Sequence, residues 1–208
     1  MIRNMLSRLI APALLAALIA PAAAATQSGD DAVIRRIEAY FNAITTLRAE
    51  FLQVNHDGSI SEGVLSIARP GRMRIDYAPP MQIEIVTNDG WITYFDRELG
   101  QVSQAPLNGT HAELFVKENV RLEGALEVVA IKYDAAALRV TLARRDSPGE
   151  GALTLVFSDD PLELRQWIVE DPQGLITRVT LIDTEFGVVL DPALFAAPAP
   201  FPEDQQER

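Results

Sequence analysis

Residues Ile60–Tyr94 read ISEGVLSIARPGRMRIDYAPPMQIEIVTNDGWITY, and this stretch decides the fold. Short segments of alternating apolar and polar residues are separated by Pro, Gly, Asn and Asp, which favour turns. Successive side chains of a strand point to opposite faces, so Met73, Ile75 and Tyr77 share one face and the charged residues between them share the other. The apolar face needs a cover, and the functional question is what lies beneath that cover.

The same alternation extends to both sides of this stretch. Strands are predicted at 48–54, 60–68, 72–77, 81–88, 91–96 and 101–104, and again at 125–133, 138–143, 151–157, 162–170 and 175–186. The loops between them are too short for parallel crossovers, so neighbouring strands are antiparallel. A mainly β (α+β) sheet of about ten strands must curl or close on itself.

Two segments with helical spacing are candidates for the cover. Residues 30–47 carry apolar side chains three or four positions apart, which predicts an amphipathic helix. Residues 108–118 predict a second, shorter helix, in which Thr110 and Glu113 have the spacing of a capping box.

The chain begins with features of a secretory signal peptide. Residues 1–25 contain Arg3 and Arg8, then an apolar run, then four consecutive Ala. We therefore expect cleavage after Ala24 or Ala25, which would leave one domain at 26–195 and an extended or disordered tail at 196–208.

The composition argues against several classes of function. Removing residues 1–25 leaves 16 basic and 29 acidic residues, a net charge near −13 that disfavours nucleic acid and anionic membrane surfaces. The chain has no Cys and only two His, His56 and His111, so a metal site or thiol chemistry is not expected. Acidic pairs at 159–160 and 170–171 adjoin turn residues, and we expect neither an enzyme nor a cofactor.

Several short motifs occur in a characteristic order. The first predicted strand holds F-L-Q at 51–53, the next reads GVLSIARPG at 63–71, and a strand ending at Tyr77 follows. N-D-G at 88–90 then precedes a strand that begins with Trp. Together these elements resemble the LolA family of periplasmic outer-membrane lipoprotein carrier proteins, over about residues 30–195.

The resemblance implies an unclosed antiparallel half-barrel whose concave apolar face is covered by a lid of helices. It also implies a periplasmic chaperone that carries the acyl chains of lipoproteins from the inner to the outer membrane. The implied partners are acylated lipoproteins, an inner-membrane LolCDE-like ABC release complex and, where one exists, a LolB-like outer-membrane acceptor, with the carrier itself a monomer. A carrier or sensor domain of the same fold for another lipid is the alternative.

The resemblance further assigns roles to individual residues. Arg69 matches the arginine that latches the lid by bonding to carbonyl groups of its helices. Met73 and Ile75 stand where the family commonly has an aromatic residue and a Trp, and both are apolar here. The expected lipid-binding cavity is lined by Ile37, Phe41, Ile44, Leu47, Phe51, Met73, Ile75, Tyr77, Leu114 and Phe115.

Overall fold

The computed structural model describes residues 23–124, 126–134 and 137–198. Nearly all of the predicted signal peptide and all but the first three residues of the predicted tail lie outside these ranges.

Eleven antiparallel strands form one open sheet. The strands are β1 (Thr46–Val54), β2 (Ile60–Ala68), β3 (Arg72–Tyr77), β4 (Ile83–Asn88), β5 (Trp91–Asp96), β6 (Gln101–Pro106), β7 (Leu126–Asp134), β8 (Ala137–Arg144), β9 (Ala152–Asp159), β10 (Leu162–Glu170) and β11 (Ile176–Phe186). Their spatial order is β6-β5-β4-β3-β2-β1-β11-β10-β9-β8-β7. Within the described residues β6 and β7 are the two edges, so the predicted unclosed half-barrel is confirmed.

Local turn chemistry explains the strand boundaries. Asp89 and Gly90 both have positive φ, 49° and 80°, as a two-residue hairpin turn requires. Asn88 and Trp91 consequently pair across the turn, and β4 and β5 continue from that pair. The turns thus determine the pairing of sequence neighbours throughout β1–β6.

The first helix differs from its prediction at both ends. Helix α1 spans Ala23–Ala43, whereas the prediction was 30–47. The chain leaves the helix at Ile44, whose N–H donates to the Phe41 carbonyl at 3.1 Å. Leu47 fits the helical spacing, but it belongs to the alternation of β1, where it is buried together with Ala49.

The second helix is shorter than predicted. Helix α2 spans Ala112–Val116, and His111 rather than Thr110 is its N-cap. The Thr110 hydroxyl donates to the Leu107 carbonyl at 2.7 Å, so it closes the preceding turn instead of capping the helix. The Glu113 side chain does point toward the start of the helix, as in a capping box, but its carboxylate accepts the N–H of Gly109 at 2.9 Å.

The core lies between the two helices and one face of the sheet. It includes side chains from α1, α2, the segment that follows α2, and strands β1–β3 and β8–β11. We call α1, α2 and residues 117–124 the lid. Among the described residues, no helix is both long and apolar enough to cross a bilayer.

The opposite face of β3 and β4 is also partly covered. A 3-10 helix at Pro192–Phe195 lies there, and its Phe195 is buried with the Arg72 guanidinium 5.6 Å from its ring centre. Arg74 donates to the Leu194 carbonyl at 3.1 Å and pairs with the buried Glu84 at 2.6 Å. The chain therefore remains packed on the sheet up to Phe195, where the predicted domain ends.

Candidate functional site

Arg69 lies where the lid meets the sheet. It directly follows β2, and its own N–H donates to the Thr45 carbonyl at 2.8 Å. Its Nη1 donates to the Phe41 carbonyl and, at 3.5 Å, to the Ile44 carbonyl at the end of α1. Its Nη2 donates to the carbonyl of Lys117, the residue that ends α2. One side chain therefore joins both lid helices to the sheet.

The acceptors of Arg69 are the groups that a helix leaves unpaired. The last carbonyls of a helix have no partner within it, and a cation near them is favoured by the helix dipole. Burial of the guanidinium lowers the pKa of Arg69, which nevertheless stays charged at neutral pH. Its Nε is buried and has no hydrogen-bond partner among the described residues. The adjacent Gly71 N–H adds a bond to the Val116 carbonyl of α2 at 2.8 Å.

The ten predicted cavity residues come together in one apolar cluster. Seven are buried within it, and Ile44, Ile75 and Tyr77 pack against it. Two of them lie on other elements than predicted. Ile44 is in the turn after α1 and Leu47 is in β1, whereas both were predicted in the first helix. Contact of these residues with lipid stays a prediction.

Three small spaces remain inside this cluster. The α1 space, about 10 Å³, is bordered by Phe41, Ile44, Leu47 and Phe115 among others. The Tyr77 space, about 20 Å³, is bordered by Phe51, Ile75 and Tyr77. The α2 space, about 110 Å³, is bordered by Met73, Ile75, His111 and Phe115. Ile37 and Leu114 border none of the three, so they act in packing the lid.

The closed interior is nearly filled by the protein's own side chains. An engineered apolar cavity of about 150 Å³ holds one benzene molecule. The largest of these three spaces is smaller, at about 110 Å³. An apolar ligand larger than benzene therefore needs the lid, or side chains beneath it, to move.

An open groove adjoins the α1 space from outside. It measures about 440 Å³ and is lined by Tyr40, Ile44 and Phe186 among others. Tyr40 and Ile44 border both the groove and the α1 space. The Tyr40 hydroxyl accepts the Leu164 N–H of β10 at 3.1 Å, and burial raises the pKa of this phenol.

Polar contacts that the sequence did not reveal hold the lid together. Asn42 of α1 donates to the Val120 carbonyl at 3.1 Å and accepts the Val120 N–H at 2.8 Å. The buried Glu38 accepts the Leu122 N–H at 2.8 Å. Polar residues on a helix are ordinarily solvated, so Glu38 and Asn42 gave no signal in the sequence. The one signal was the apolar pair Val120 and Leu122, which suggests that this segment packs against another part of the protein.

His111 borders the α2 space at the start of α2. Burial, and next the positive charge of Arg144, lower the pKa of His111, so the ring is neutral at pH 7. Arg144 also donates to the Gly109 carbonyl at 2.8 Å, which fixes the turn before α2. Among the described residues no group of three or more His, Asp and Glu side chains could hold a metal ion.

The fold and this site define a class: an open antiparallel half-barrel with an apolar interior closed by a helical lid. Residues 42–198 match the family described as "Outer membrane lipoprotein carrier protein LolA", and the chain belongs to this family.

Individual relatives agree with this assignment. An outer-membrane lipoprotein carrier protein of Methylococcus capsulatus is 26% identical over 77% of this chain and 80% of the relative. One of Alkalilimnicola ehrlichii is 32% identical over 75% of each chain. The crystal structure of an uncharacterized conserved protein from Thermus thermophilus has a TM-score of 0.51 at 12% identity, over 82% of this chain and 94% of that one. The structural likeness concerns the fold alone.

Proposed function

We propose that this chain is a periplasmic chaperone that carries the acyl chains of lipoproteins from the inner to the outer membrane. Residues 26–195 form the carrier domain, residues 1–25 a cleaved signal peptide, and residues 196–208 a tail outside the carrier function. Membership of the LolA family and the names of the curated relatives support a lipoprotein as the cargo. They favour it over another lipid.

The observation that carries the proposal is the position of Arg69. Its guanidinium bonds to carbonyl groups at the ends of both lid helices, directly beside an apolar interior. Such contacts can be exchanged for water when the lid lifts, since Arg69 is only partly buried. We assign it the role of a reversible lid latch.

The hydrogen bonds of the Arg69 latch are weaker than the hydrophobic effect on a long acyl chain. Hydrogen bonds to a charged group contribute about 1.5–3 kcal/mol. Exposing an acyl chain to water costs about 0.8 kcal/mol for each CH₂ group. Exposing a long chain to water would therefore cost more than the latch contributes, so a loaded carrier keeps its cargo with the latch broken until an acceptor offers another apolar site, and the latch favours closure once cargo departs.

Partners supply the direction of transport in this proposal. A LolCDE-like ABC complex in the inner membrane would load the carrier, and a LolB-like protein in the outer membrane would receive the lipoprotein. The carrier works as a monomer and has no catalytic part in the transfer.

The test compares Arg69→Leu with the native chain in a two-step assay. Loading is measured by release of a radiolabelled lipoprotein from inner-membrane vesicles, and delivery by its transfer to outer-membrane vesicles. We expect normal loading of Arg69→Leu but delivery slowed by at least roughly 10- to 150-fold, the equivalent of losing one of the two latch bonds at about 1.5–3 kcal/mol. The physical reason is that the closed, unloaded form loses its stabilisation and the loaded form does not.

Arg48→Leu is the matched control, because Arg48 is exposed on β1 and takes no part in the lid. It should load and deliver normally. Normal delivery by Arg69→Leu would contradict the latch role, and failure of the native chain to take up any lipoprotein would contradict the carrier function.

A further inference from the structure

Trp167 has a special place among the three interior spaces. Of the residues that the structure describes, only Leu65 and Trp167 border all of the α1, Tyr77 and α2 spaces. The indole therefore lies at the point where these spaces would otherwise join.

A bulge in β10 brings Trp167 into the interior. The pairing of β10 with β9 shifts register between Leu164 and Gln166. Residues three apart on a regular strand face opposite ways, but the extra residue in the bulge lets Leu164 and Trp167 both border the α1 space. The partners of Trp167 on the neighbouring strands are Leu155 and Val179, both aliphatic.

The lid rests on this indole. The Phe115 ring of α2 lies with its centre 5.0 Å from that of Trp167. The latch bond from Arg69 ends on Lys117, two residues beyond Phe115. Release of the latch would therefore loosen the side chain that holds Trp167 in place.

The indole N–H is available to a ligand. It donates no hydrogen bond to any described residue, although the indole N–H of a buried Trp usually finds a partner. Trp167 is only partly buried, and its N–H is not among the fully buried unpartnered polar atoms of the described residues, so it keeps some exposure and can meet an acceptor that enters beside it. Every acyl chain of a lipoprotein ends in an ester or amide carbonyl, which is an acceptor for such a donor.

We propose that Trp167 is a movable partition: when the lid lifts, its rotation joins the three spaces into one acyl-chain site, and its N–H then binds an ester or amide carbonyl of the cargo. This inference rests on the proposed carrier function. Trp167 consequently determines how much acyl chain the interior accepts.

The chain offers a clean spectroscopic test, since its one other Trp residue is Trp91, which is half exposed. In Trp91→Phe, Trp167 is the one Trp left, and excitation at the long-wavelength edge, where Tyr does not absorb, makes it the only fluorescent residue. The probe is a triacylated lipopeptide with brominated acyl chains, which quench Trp on contact. We expect quenching that saturates at the stoichiometry at which the lipopeptide co-elutes, whereas Trp167→Phe, which retains Trp91, should bind but not be quenched.

A second variant tests the partition itself. Trp167→Leu, checked for native folding by circular dichroism, should take up the lipopeptide several-fold faster because less side chain must move. Co-elution without quenching of Trp91→Phe, or an unchanged uptake rate in Trp167→Leu, would overturn this inference alone. Failure of the native chain to bind the lipopeptide would overturn the carrier function and this inference with it.

Discussion

Gly63 in β2 is a position where a single methyl group should disturb the apolar face of the sheet. Gly63 pairs with Phe51 of β1 and with Tyr77 of β3. The two rings meet edge to face above it, with their centres 5.2 Å apart. A Cβ on Gly63 would lie 2.2 Å from the Asp76 carbonyl oxygen and 2.7 Å from the Phe51 ring. The carbonyl belongs to the backbone of β3, so it cannot simply rotate away.

We expect Gly63→Ala to lower the free energy of unfolding by about 1–3 kcal/mol, the usual cost of overpacking a core. The smaller entropy loss of Ala on folding recovers less than about 1 kcal/mol of this. The assay is urea unfolding of the mature protein, with a thermal melt in which each kcal/mol lowers Tm by about 2–4 °C.

Gly29→Ala is the matched control. Gly29 is exposed in α1, and an added Cβ would meet nothing within 4 Å. The higher helix propensity of Ala should leave stability unchanged or raise it by up to about 1 kcal/mol. If Gly63→Ala unfolds at the same urea concentration as the native chain, the close packing of Phe51 and Tyr77 over Gly63 is wrong.

Two further predictions concern the two faces of the sheet. The pKa of His111 is lowered on folding, so its contribution to stability is present above its unfolded pKa of about 6.5 and is lost as pH falls through the folded value. His111→Asn should therefore lose less stability than the native chain between pH 7 and pH 5 in urea unfolding, and an equal loss would contradict this. Phe195→Ala should release the C-terminal segment from β3 and β4, because the buried ring and its contact with Arg72 are removed. Limited proteolysis with mass spectrometry should then show faster cleavage after residue 187, and unchanged cleavage would mean that the polar contacts of Arg74 with the Leu194 carbonyl and of Thr46 with the Val188 carbonyl suffice to hold the segment.

The sequence predicted the boundaries of individual strands better than the pairing of strands that are distant in the chain. Strand β2 and strand β3 begin and end where alternation and turn residues predicted them. The pairing of β1 with β11 could not be predicted, because it joins residues that are far apart in the chain and no turn connects them. This pairing places the first and last strands in the middle of the sheet, beside each other.

The helix boundaries and the residues of the candidate site were harder to predict from the sequence, each for a physical reason. Leu47 suits both a helical stripe and an alternating strand, and only its pairing with Ile67 decides between them. Arg69 follows a strand, where an arginine is ordinarily solvated, so the latch role proposed for it was suggested by the family resemblance alone. Trp167 was missed because the bulge in β10 interrupts the alternation that would have assigned its face.

The lid has two kinds of attachment, and they predict which side opens. Along β9 and β10, α1 is held by Arg36, which bonds to Asp159 at 3.0 Å, and by the Tyr40 hydroxyl on Leu164. Along β2, the polar attachments of the lid are the Arg69 latch and the Gly71 N–H. Glu38 and Asn42 bond within the lid, so they move with it and survive opening. Release at Arg69 therefore favours rotation of the lid about its β9 and β10 side. Among the described side chains the other contacts between lid and sheet are apolar. If an acyl chain replaces them like for like, as the proposed carrier function requires, the proposed Arg69 latch accounts for much of the free-energy difference between the open and closed forms.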